Sequence, residues 1–297
     1  MSMTTARSLP LDLLLTSRPL SWINTAFGFA AAYILTTGRV DAALAIGTLF
    51  FLVPYNLTMY GINDVFDHAS DLANPRKGGA EGAVLSPTLH RVVMAWSLLL
   101  PVPFIVFLVA IGDPVSWLVL AISLFAVIAY SVPGLRFKEI PFLDSATSSL
   151  HFVSPAVYGL VLARATPTPA LVVLLLAFFA WGVASHAFGA VQDVVPDRAA
   201  GIASIATVLG ATRTVRFASA MWALAGALML FTSWPGPLGA VLVLPYIGAV
   251  WPFRSVSDEG SEATNRGWRR FLLLNYVCGF LATMLLIWWA AQGGAAF

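Results

Sequence analysis

Four oxygen-bearing side chains near the end of the second apolar segment are spaced to lie along a helix. Asn63, Asp67 and Asp71 recur every four residues, and in a continuous helix Asp64 lies about 100° around the axis from Asn63. Carboxylates one helical turn apart repel each other unless a cation lies between them. Such a set of oxygen ligands is typical of a hard divalent cation, and Mg²⁺ fits because it commonly combines a few carboxylates with phosphate oxygens.

A second acidic pair follows the sixth apolar segment. Asp193 and Asp197 have the same four-residue spacing, and a pair that faces the first group would hold divalent cations between the two helices. The alternative is that both groups are ordinary acidic residues at solvated helix ends. The regular spacing, the asparagine and the second copy favour the metal site.

Basic residues accompany both acidic groups. Any single one of them is explained more simply by membrane topology than by ligand binding. Together, beside acidic groups that can hold a metal, they are typical of a diphosphate site, because Mg²⁺ bridges diphosphate oxygens while Arg and Lys neutralise the remaining charge. The candidate diphosphate-binding residues are Arg18, Arg76, Lys77, Arg136, Lys138 and Arg198.

The composition requires these residues to be positioned by membrane helices. Of 297 residues, 59% are hydrophobic and 10% are charged, against roughly 25% charged in a soluble domain. These values exclude a soluble globule and a disordered chain, and the long unbroken apolar runs exclude a β-barrel. The net charge of +2 gives no indication of nucleic-acid binding. We therefore predict one all-α polytopic membrane domain over residues 1–297.

Nine apolar segments are long enough to cross the hydrocarbon core, which needs about 20 residues. The fifth is unusually polar because it contains Asp144 and His151 among several Ser and Thr residues. The predicted spans are 20–37, 43–61, 92–112, 115–132, 141–163, 170–191, 214–233, 237–253 and 271–291.

The distribution of Lys and Arg predicts the orientation of these spans. With nine spans, 14 of the 16 basic residues fall on one side, and only Arg39 and Arg164 fall on the other. Because basic loops stay in the cytoplasm, the N-terminus is predicted to be cytoplasmic and the C-terminus outside. Twelve of the 14 acidic residues share the basic side, which indicates either longer, solvated loops on that side or a polar site at the cytoplasmic mouth of the bundle.

Both acidic motifs resemble those of the UbiA-type intramembrane prenyltransferases. The motif at 63–71 is similar to the first aspartate-rich motif of that family, and the motif at 193–197 is similar to the second. The segment 130–138 is similar to the loop between the fourth and fifth helices of the family. The resemblance covers nearly the whole chain. It implies a nine-helix bundle with a Mg²⁺-dependent active site at its cytoplasmic mouth.

A narrower resemblance is to the bacterial lycopene elongases of this family. It is carried by the runs 17–25, 54–67, 74–85, 189–193 and 204–208. Those enzymes attach C5 units from dimethylallyl diphosphate to the ends of lycopene, giving C50 carotenoids. The identity of both substrates depends on this resemblance alone.

The implied reaction assigns further roles within the spans. Tyr60 and Tyr130 are candidates to face an allylic cation. Attack by a terminal alkene leaves a tertiary cation that loses a proton or takes up water, and Asp144 and His151 are candidates for that step because ionisable residues within spans usually face a cavity. A satisfied hydrogen bond between helices explains these two equally well. His186 is a weaker candidate.

Two alternatives remain at the level of the sequence. An aromatic or quinone-precursor polyprenyltransferase of the same family would use the same acidic motifs with a ring as acceptor. A cation-coupled transporter could use acidic helix ends as its ion site, although transporters usually place that site near the bilayer midplane.

Overall fold

The computed structural model describes residues 8–68, 72 and 85–294 of the 297-residue chain, and these residues are helical apart from short turns and loops. This architecture confirms the all-α prediction. The helices are α1 (Leu9–Thr16), α2 (Trp22–Thr37), α3 (Ala42–Leu52), α4 (Pro54–Phe66), α5 (His90–Leu99), α6 (Val102–Ile111), α7 (Pro114–Ser131), α8 (Leu143–Leu162), α9 (Pro169–Val191), α10 (Val194–Ala199), α11 (Ile205–Leu209), α12 (Ala211–Met229), α13 (Leu244–Val250) and α14 (Asn265–Trp289).

Proline divides two of the predicted spans into pairs of helices. The second span consists of α3 and α4, which meet at Pro54, and the third consists of α5 and α6, which meet at Pro101. Proline removes one backbone hydrogen bond and clashes with the preceding turn, so it ends or bends a helix. Each pair still forms one segment that is long and apolar enough for a single crossing, Ala42–Phe66 and Pro87–Ile111.

Six helical segments among the described residues are long and apolar enough to cross a membrane, so the chain is a multi-pass membrane protein. They coincide with the second, third, fourth, sixth, eighth and ninth predicted spans. The six are Ala42–Phe66, Pro87–Ile111, Pro114–Ser131, Pro169–Val191, Gly236–Phe253 and Ser261–Gln292.

The other three predicted spans also coincide with helices, but these helices are shorter or more polar. Helix α2 has 16 residues, or about 24 Å, against a hydrocarbon core of about 30 Å. Helix α8 carries Asp144 and His151, and α12 carries Arg213 and Arg216. The count of nine spans therefore stays a prediction.

Two aromatic cores follow one another along the chain. The first core contains buried residues between Ala26 and Tyr158, from helices α2, α3, α4, α6, α7 and α8. The second contains buried residues between Ala180 and Cys278, from α9, α11, α12, α13 and α14 together with neighbouring turns. Helix α8 packs against α2, α7 and α9, so it lies where the two cores meet.

Small residues allow α2 and α8 to approach closely. A Cβ atom at Gly159 of α8 would lie 2.7 Å from the carbonyl oxygen of Phe29 on α2, and one at Gly28 would lie 3.3 Å from the carbonyl oxygen of Phe152. Glycine at such positions is typical of membrane helices that pack backbone against backbone. This packing holds α8, with its polar side chains, against the first core.

Candidate active site

Helix α4 presents the first acidic group at one end of the bundle. The helix starts at Pro54, whose missing N–H costs no hydrogen bond in a first turn. At its other end the amide of Asp67 donates to the carbonyl of Asn63 at 2.9 Å, and Asp64 is buried with 2% of its surface exposed. Asn63, Asp64 and Asp67 are thus held by helical backbone. Asp71, the last member of the motif, lies outside the described residues.

Lys138 contacts two members of this group at once. Its ammonium pairs with the Asp67 carboxylate and lies 3.4 Å from Oδ1 of Asn63. Ser131 also donates to Asn63 Oδ1, at 2.9 Å. Because one cation touches both Asn63 and Asp67, these residues share a face, as their spacing predicts. Burial lowers the pKa of Lys138, and the charge of Asp67 opposes that shift.

Arg136 approaches the same carboxylate from the loop between α7 and α8. Its guanidinium is 3.5 Å from Oδ1 of Asp67 and also pairs with Glu139. The hydrogen bond to Glu139 is the main cause that raises the pKa of Arg136. The sequence did not single out Glu139, and its only signal is its position three residues after Arg136. The loop thus brings a pre-oriented guanidinium to the acidic group.

Arg18 supplies a third cation from the opposite direction. Its backbone is left-handed, with φ of 51°, and its Nη2 lies 2.8 Å from Oδ1 of Asp64. The guanidinium also lies over the ring of Tyr60, 4.2 Å from the centroid. We call the group that these contacts define the charged cluster. The charged cluster comprises Asn63, Asp64, Asp67, Arg18, Arg136 and Lys138.

The second acidic pair lies on the short turn after α9. Asp193 immediately precedes α10, and Asp197 lies within it. The amide of Asp197 donates to the carbonyl of Asp193 at 2.9 Å, so the two residues are one helical turn apart as predicted. The side chain of Gln192 accepts a hydrogen bond of 2.7 Å from Asn265, which ties this turn to α14.

Arg198, next to Asp197, contacts α11 and the loop between α13 and α14. Its guanidinium donates to the carbonyl of Thr207 at 2.7 Å and to Oδ2 of Asp258 at 2.5 Å. The other oxygen of Asp258 accepts from the amide of Ala211 at 2.6 Å. The Ala211 amide and the Arg198 guanidinium lower the pKa of Asp258. The sequence analysis missed Asp258, which is 60 residues from its partner.

Both carboxylate oxygens of Asp144 accept hydrogen bonds from backbone amides. Oδ1 accepts from the amide of Ser145 at 2.6 Å, and Oδ2 accepts from the amide of Ile205 at 2.7 Å. Ile205 is the first residue of α11, which follows the second acidic motif. Asp144 is fully buried. It therefore links α8 to the segment that follows Asp197.

Tyr130, His186 and Ser145 form a hydrogen-bonded chain beneath the charged cluster. The hydroxyl of Tyr130 lies 3.0 Å from Nε2 of His186, and Nδ1 of His186 lies 3.0 Å from Oγ of Ser145. His186 is only a weak candidate on sequence grounds. Its partners lie on two other helices, and the spacing of residues along the chain does not reveal such contacts.

His151 lies on the other side of Tyr130. The two rings meet edge to face with centroids 5.2 Å apart, and His151 is buried with 3% of its surface exposed. Tyr130, His151, His186 and the hydrogen-bonded Ser145 thus form one polar group at the junction of α7, α8 and α9, in which His151 and Ser145 are buried and the other two are half-buried.

The donor atoms of the charged cluster fit a hard cation. Asn63, Asp64 and Asp67 offer the amide and carboxylate oxygens that Mg²⁺ prefers, and cationic side chains already compensate each of them. Within the parts of the chain that the structure describes, no three His, Cys, Asp or Glu residues are grouped as a metal site. The described part lacks Asp71 and also Arg76 and Lys77, which lie outside it.

Comparison with known proteins assigns the chain to a family. Residues 22–275 match the UbiA prenyltransferase family. A C(50) beta-cyclic carotenoids biosynthesis protein, LbtBC, from Dietzia sp. (strain CQ4) is 54% identical over 273 residues, which cover 92% of this chain and 63% of that protein. This chain therefore spans less than two thirds of the length of the Dietzia relative. A lycopene elongase/hydratase from Corynebacterium glutamicum is 47% identical over 275 residues, covering 93% of this chain and 96% of that protein.

Solved structures show the same architecture. A UbiA homolog from Archaeoglobus fulgidus bound to DMAPP and Mg2+ aligns with a TM-score of 0.64 at 18% identity, covering 90% of this chain and 98% of that chain. At this identity the likeness concerns the fold, and it confirms the prediction of a UbiA-like helical bundle. With the match over residues 22–275 and relatives about half identical along nearly all of the sequence, the chain belongs to the UbiA prenyltransferase family.

Proposed function

We propose that this chain is a Mg²⁺-dependent prenyltransferase that adds C5 units from dimethylallyl diphosphate to the ends of lycopene or a related carotenoid, on the way to C50 carotenoids. The observation that carries the chemistry is the convergence of Lys138 on Asn63 and Asp67, with Arg136 beside it. The names of the Dietzia and C. glutamicum relatives support the acceptor.

Magnesium is proposed to bind between the two acidic motifs. When bound, it would neutralise charge on the diphosphate and so make it a better leaving group. Lys138 and Arg18 already balance the carboxylates of Asp67 and Asp64, which indicates that this end of α4 is built to face positive charge. The proposed metal-binding residues are Asn63, Asp64, Asp67, Asp71, Asp193 and Asp197.

The basic residues are proposed to hold the diphosphate. Lys138 is a compact point charge, and the planar guanidinium of Arg136 or Arg18 can bind two phosphate oxygens at once. As the bond to the prenyl group breaks, negative charge grows on the departing oxygen, and fixed cations stabilise that charge. The proposed set is Arg18, Arg76, Lys77, Arg136, Lys138 and Arg198, of which Arg198 also pairs with Asp258.

The allylic cation left behind is proposed to form next to Tyr60 and Tyr130. Aromatic rings attract cations through their faces, and the Tyr60 ring already holds the Arg18 guanidinium in this way. A terminal alkene of the acceptor then attacks the cation within the bundle, where bulk water is excluded. The last step needs a base, for which Asp144 and His151 are the proposed candidates.

We also propose nine spans with the N-terminus in the cytoplasm and the C-terminus outside. Helices at all nine predicted positions and the 14-to-2 division of basic residues support this topology. In this orientation a water-soluble diphosphate reaches the charged cluster from the cytoplasm, and the apolar acceptor comes from the bilayer.

The test is to incubate membranes containing the chain with lycopene and dimethylallyl diphosphate, with and without Mg²⁺, and to measure product masses. We expect Mg²⁺-dependent products one and two C5 units heavier than lycopene, together with pyrophosphate release. Unchanged lycopene with a prenylated aromatic product would instead identify the quinone-precursor alternative. Ion flux without pyrophosphate release would identify a transporter.

A further inference from the structure

Two of the ionisable side chains at the junction of α7, α8 and α9, Asp144 and His186, have a hydrogen-bond partner at every side-chain oxygen or nitrogen. Both oxygens of Asp144 accept hydrogen bonds from backbone amides. Both nitrogens of His186 are paired, one with Tyr130 and one with Ser145. Protonation of Asp144 would weaken the hydrogen bonds that it accepts, including the one that links α8 to α11. Protonation of His186 would break its contact with Tyr130 or with Ser145.

His151 differs from both. Its Nε2 is buried with no hydrogen-bond partner among the described residues. A neutral imidazole whose proton is on Nδ1 carries its lone pair on Nε2. His151 therefore presents a base in a region from which bulk water is excluded.

The position of His151 is fixed relative to the charged cluster. The imidazole packs edge to face against the Tyr130 ring on α7, with the centroids 5.2 Å apart. Tyr130 is held in turn by its hydrogen bond to His186, and the next residue of α7, Ser131, donates to Asn63 of the charged cluster. The His151 ring thus lies against the ring proposed to face the allylic cation.

Resting on the proposed function, we propose that His151, and not Asp144, takes the proton that ends the prenyl transfer. Asp144 is instead a positioning residue that holds the start of α11 through Ile205. An unpartnered acceptor buried at this depth is costly to keep in a fold. A proton acceptor for an apolar intermediate is a role that requires such an unpartnered nitrogen.

The proposed transfer breaks one C–O bond, forms one C–C bond and releases one proton. The C–O bond of the donor breaks, and its electron pair leaves with the diphosphate. The π pair of the terminal alkene of the acceptor forms the new C–C bond, which leaves a tertiary cation on the acceptor. A neighbouring C–H bond then breaks, its electrons form a new double bond, and the proton goes to Nε2 of His151. If water adds to the cation, one proton of that water goes to the same nitrogen.

The test compares His151→Ala and His151→Gln with the wild-type chain and with a matched control, Ser154→Ala. Ser154 lies one turn further along α8 and bonds to Ser123. We expect both His151 variants to lose about a hundredfold or more in the rate of carotenoid product, as removal of a general base does. The KM for dimethylallyl diphosphate should stay within about twofold, since His151 does not touch the charged cluster.

Rescue by a free base separates catalysis from structure. Imidazole added to His151→Ala should restore product formation by about tenfold or more, because it can occupy the space of the missing side chain and accept the proton. It should have no effect on Ser154→Ala. Near-normal product rates in His151→Gln, or a loss in His151→Ala that imidazole leaves unchanged, would overturn the assignment. A wild-type chain that releases pyrophosphate without extending lycopene would overturn the proposed function itself.

Discussion

Asp67 is the carboxylate on which the loop between α7 and α8 converges. Lys138 and Arg136 reach it from that loop, although they are about 70 residues away in the sequence. Two cationic side chains therefore depend on this one carboxylate for their position. Its removal should therefore affect the whole charged cluster.

We expect Asp67→Ala to lower the rate of prenyl transfer by roughly a thousandfold or more, since electrostatic groups at a reacting centre have effects of this size. Asp193→Ala should behave in the same way if the second motif holds metal. Product mass in isolated membranes measures the rate. Glu262→Gln, a change at an exposed acidic residue, should leave it unaltered. Activity close to wild type in both aspartate variants would refute the metal assignment.

Residue types and spacing were enough to predict the acidic motifs and the basic residues beside them. The shared face of Asn63 and Asp67 follows directly from the period of the helix. The partners Glu139, Asp258 and His186 could not be predicted in this way. The contacts of Asp258 and His186 cross 41 to 60 residues of sequence, and only the folded bundle brings such residues together.

The ion pair of Asp258 with Arg198 and its hydrogen bond from Ala211 act on a helix, because they fix the start of α12. Helix α12 is preceded by Gly210, which has no side chain to cap its amides, so Asp258 provides that cap from a distant loop. Asp258→Ala should reduce the free energy of unfolding by about 1–2 kcal/mol, as the loss of a cap does. Thermal unfolding in detergent at neutral pH measures this effect.

The same contacts of Asp258 predict how the stability of the protein depends on pH. Folding lowers the pKa of Asp258 below 3.8, so its contribution to stability is complete above that value and is lost as the pH falls through the folded pKa. The difference in stability between wild type and Asp258→Ala should accordingly shrink in strong acid. A difference that grows on acidification would contradict the assigned ion pair.

The contact between α2 and α8 predicts opposite effects for one substitution at two glycines. Gly159→Ala should destabilise the protein, because the new Cβ would meet the Phe29 carbonyl at 2.7 Å. Gly279→Ala on α14 meets nothing within 4 Å and should stabilise its helix by about 0.5–1 kcal/mol. Melting temperatures of the two purified variants test this pair. Equal shifts would mean that the close approach does not matter.

Apolar segments predicted the positions of the helices more reliably than their lengths and breaks. Pro54 and Pro101 are visible in the sequence as sites where a span divides. The length of α2, 16 residues, was not predictable from hydropathy alone. The chain before it turns at Arg18, whose backbone is left-handed, and this turn limits how early the helix can start. The polar content of α8 made its span uncertain, and the structure buries that content at the junction of the two cores.

At the scale of the whole molecule, the division of basic residues predicts which ends face the cytoplasm. In a Cys278→Ser background, Arg39→Cys and Ser86→Cys place single thiols at exposed positions in two different connections. An impermeant thiol reagent should label Arg39→Cys in intact cells and Ser86→Cys only after the cells are opened. Labelling of both from the same side would rule out the proposed topology.

Because the two aromatic cores are consecutive in the sequence, they can assemble one after the other during synthesis. The first core, ending near Tyr158, can assemble in the bilayer while the second is still being synthesised. During that interval the nascent α8 already carries Asp144 and Ser145, whose partners Ile205 and His186 have not yet emerged. Unpaired polar groups disfavour release into lipid, so α8 should linger at the insertion machinery until α9 and α11 arrive. The proposed catalytic centre is therefore completed only after α9 and α11 have been synthesised.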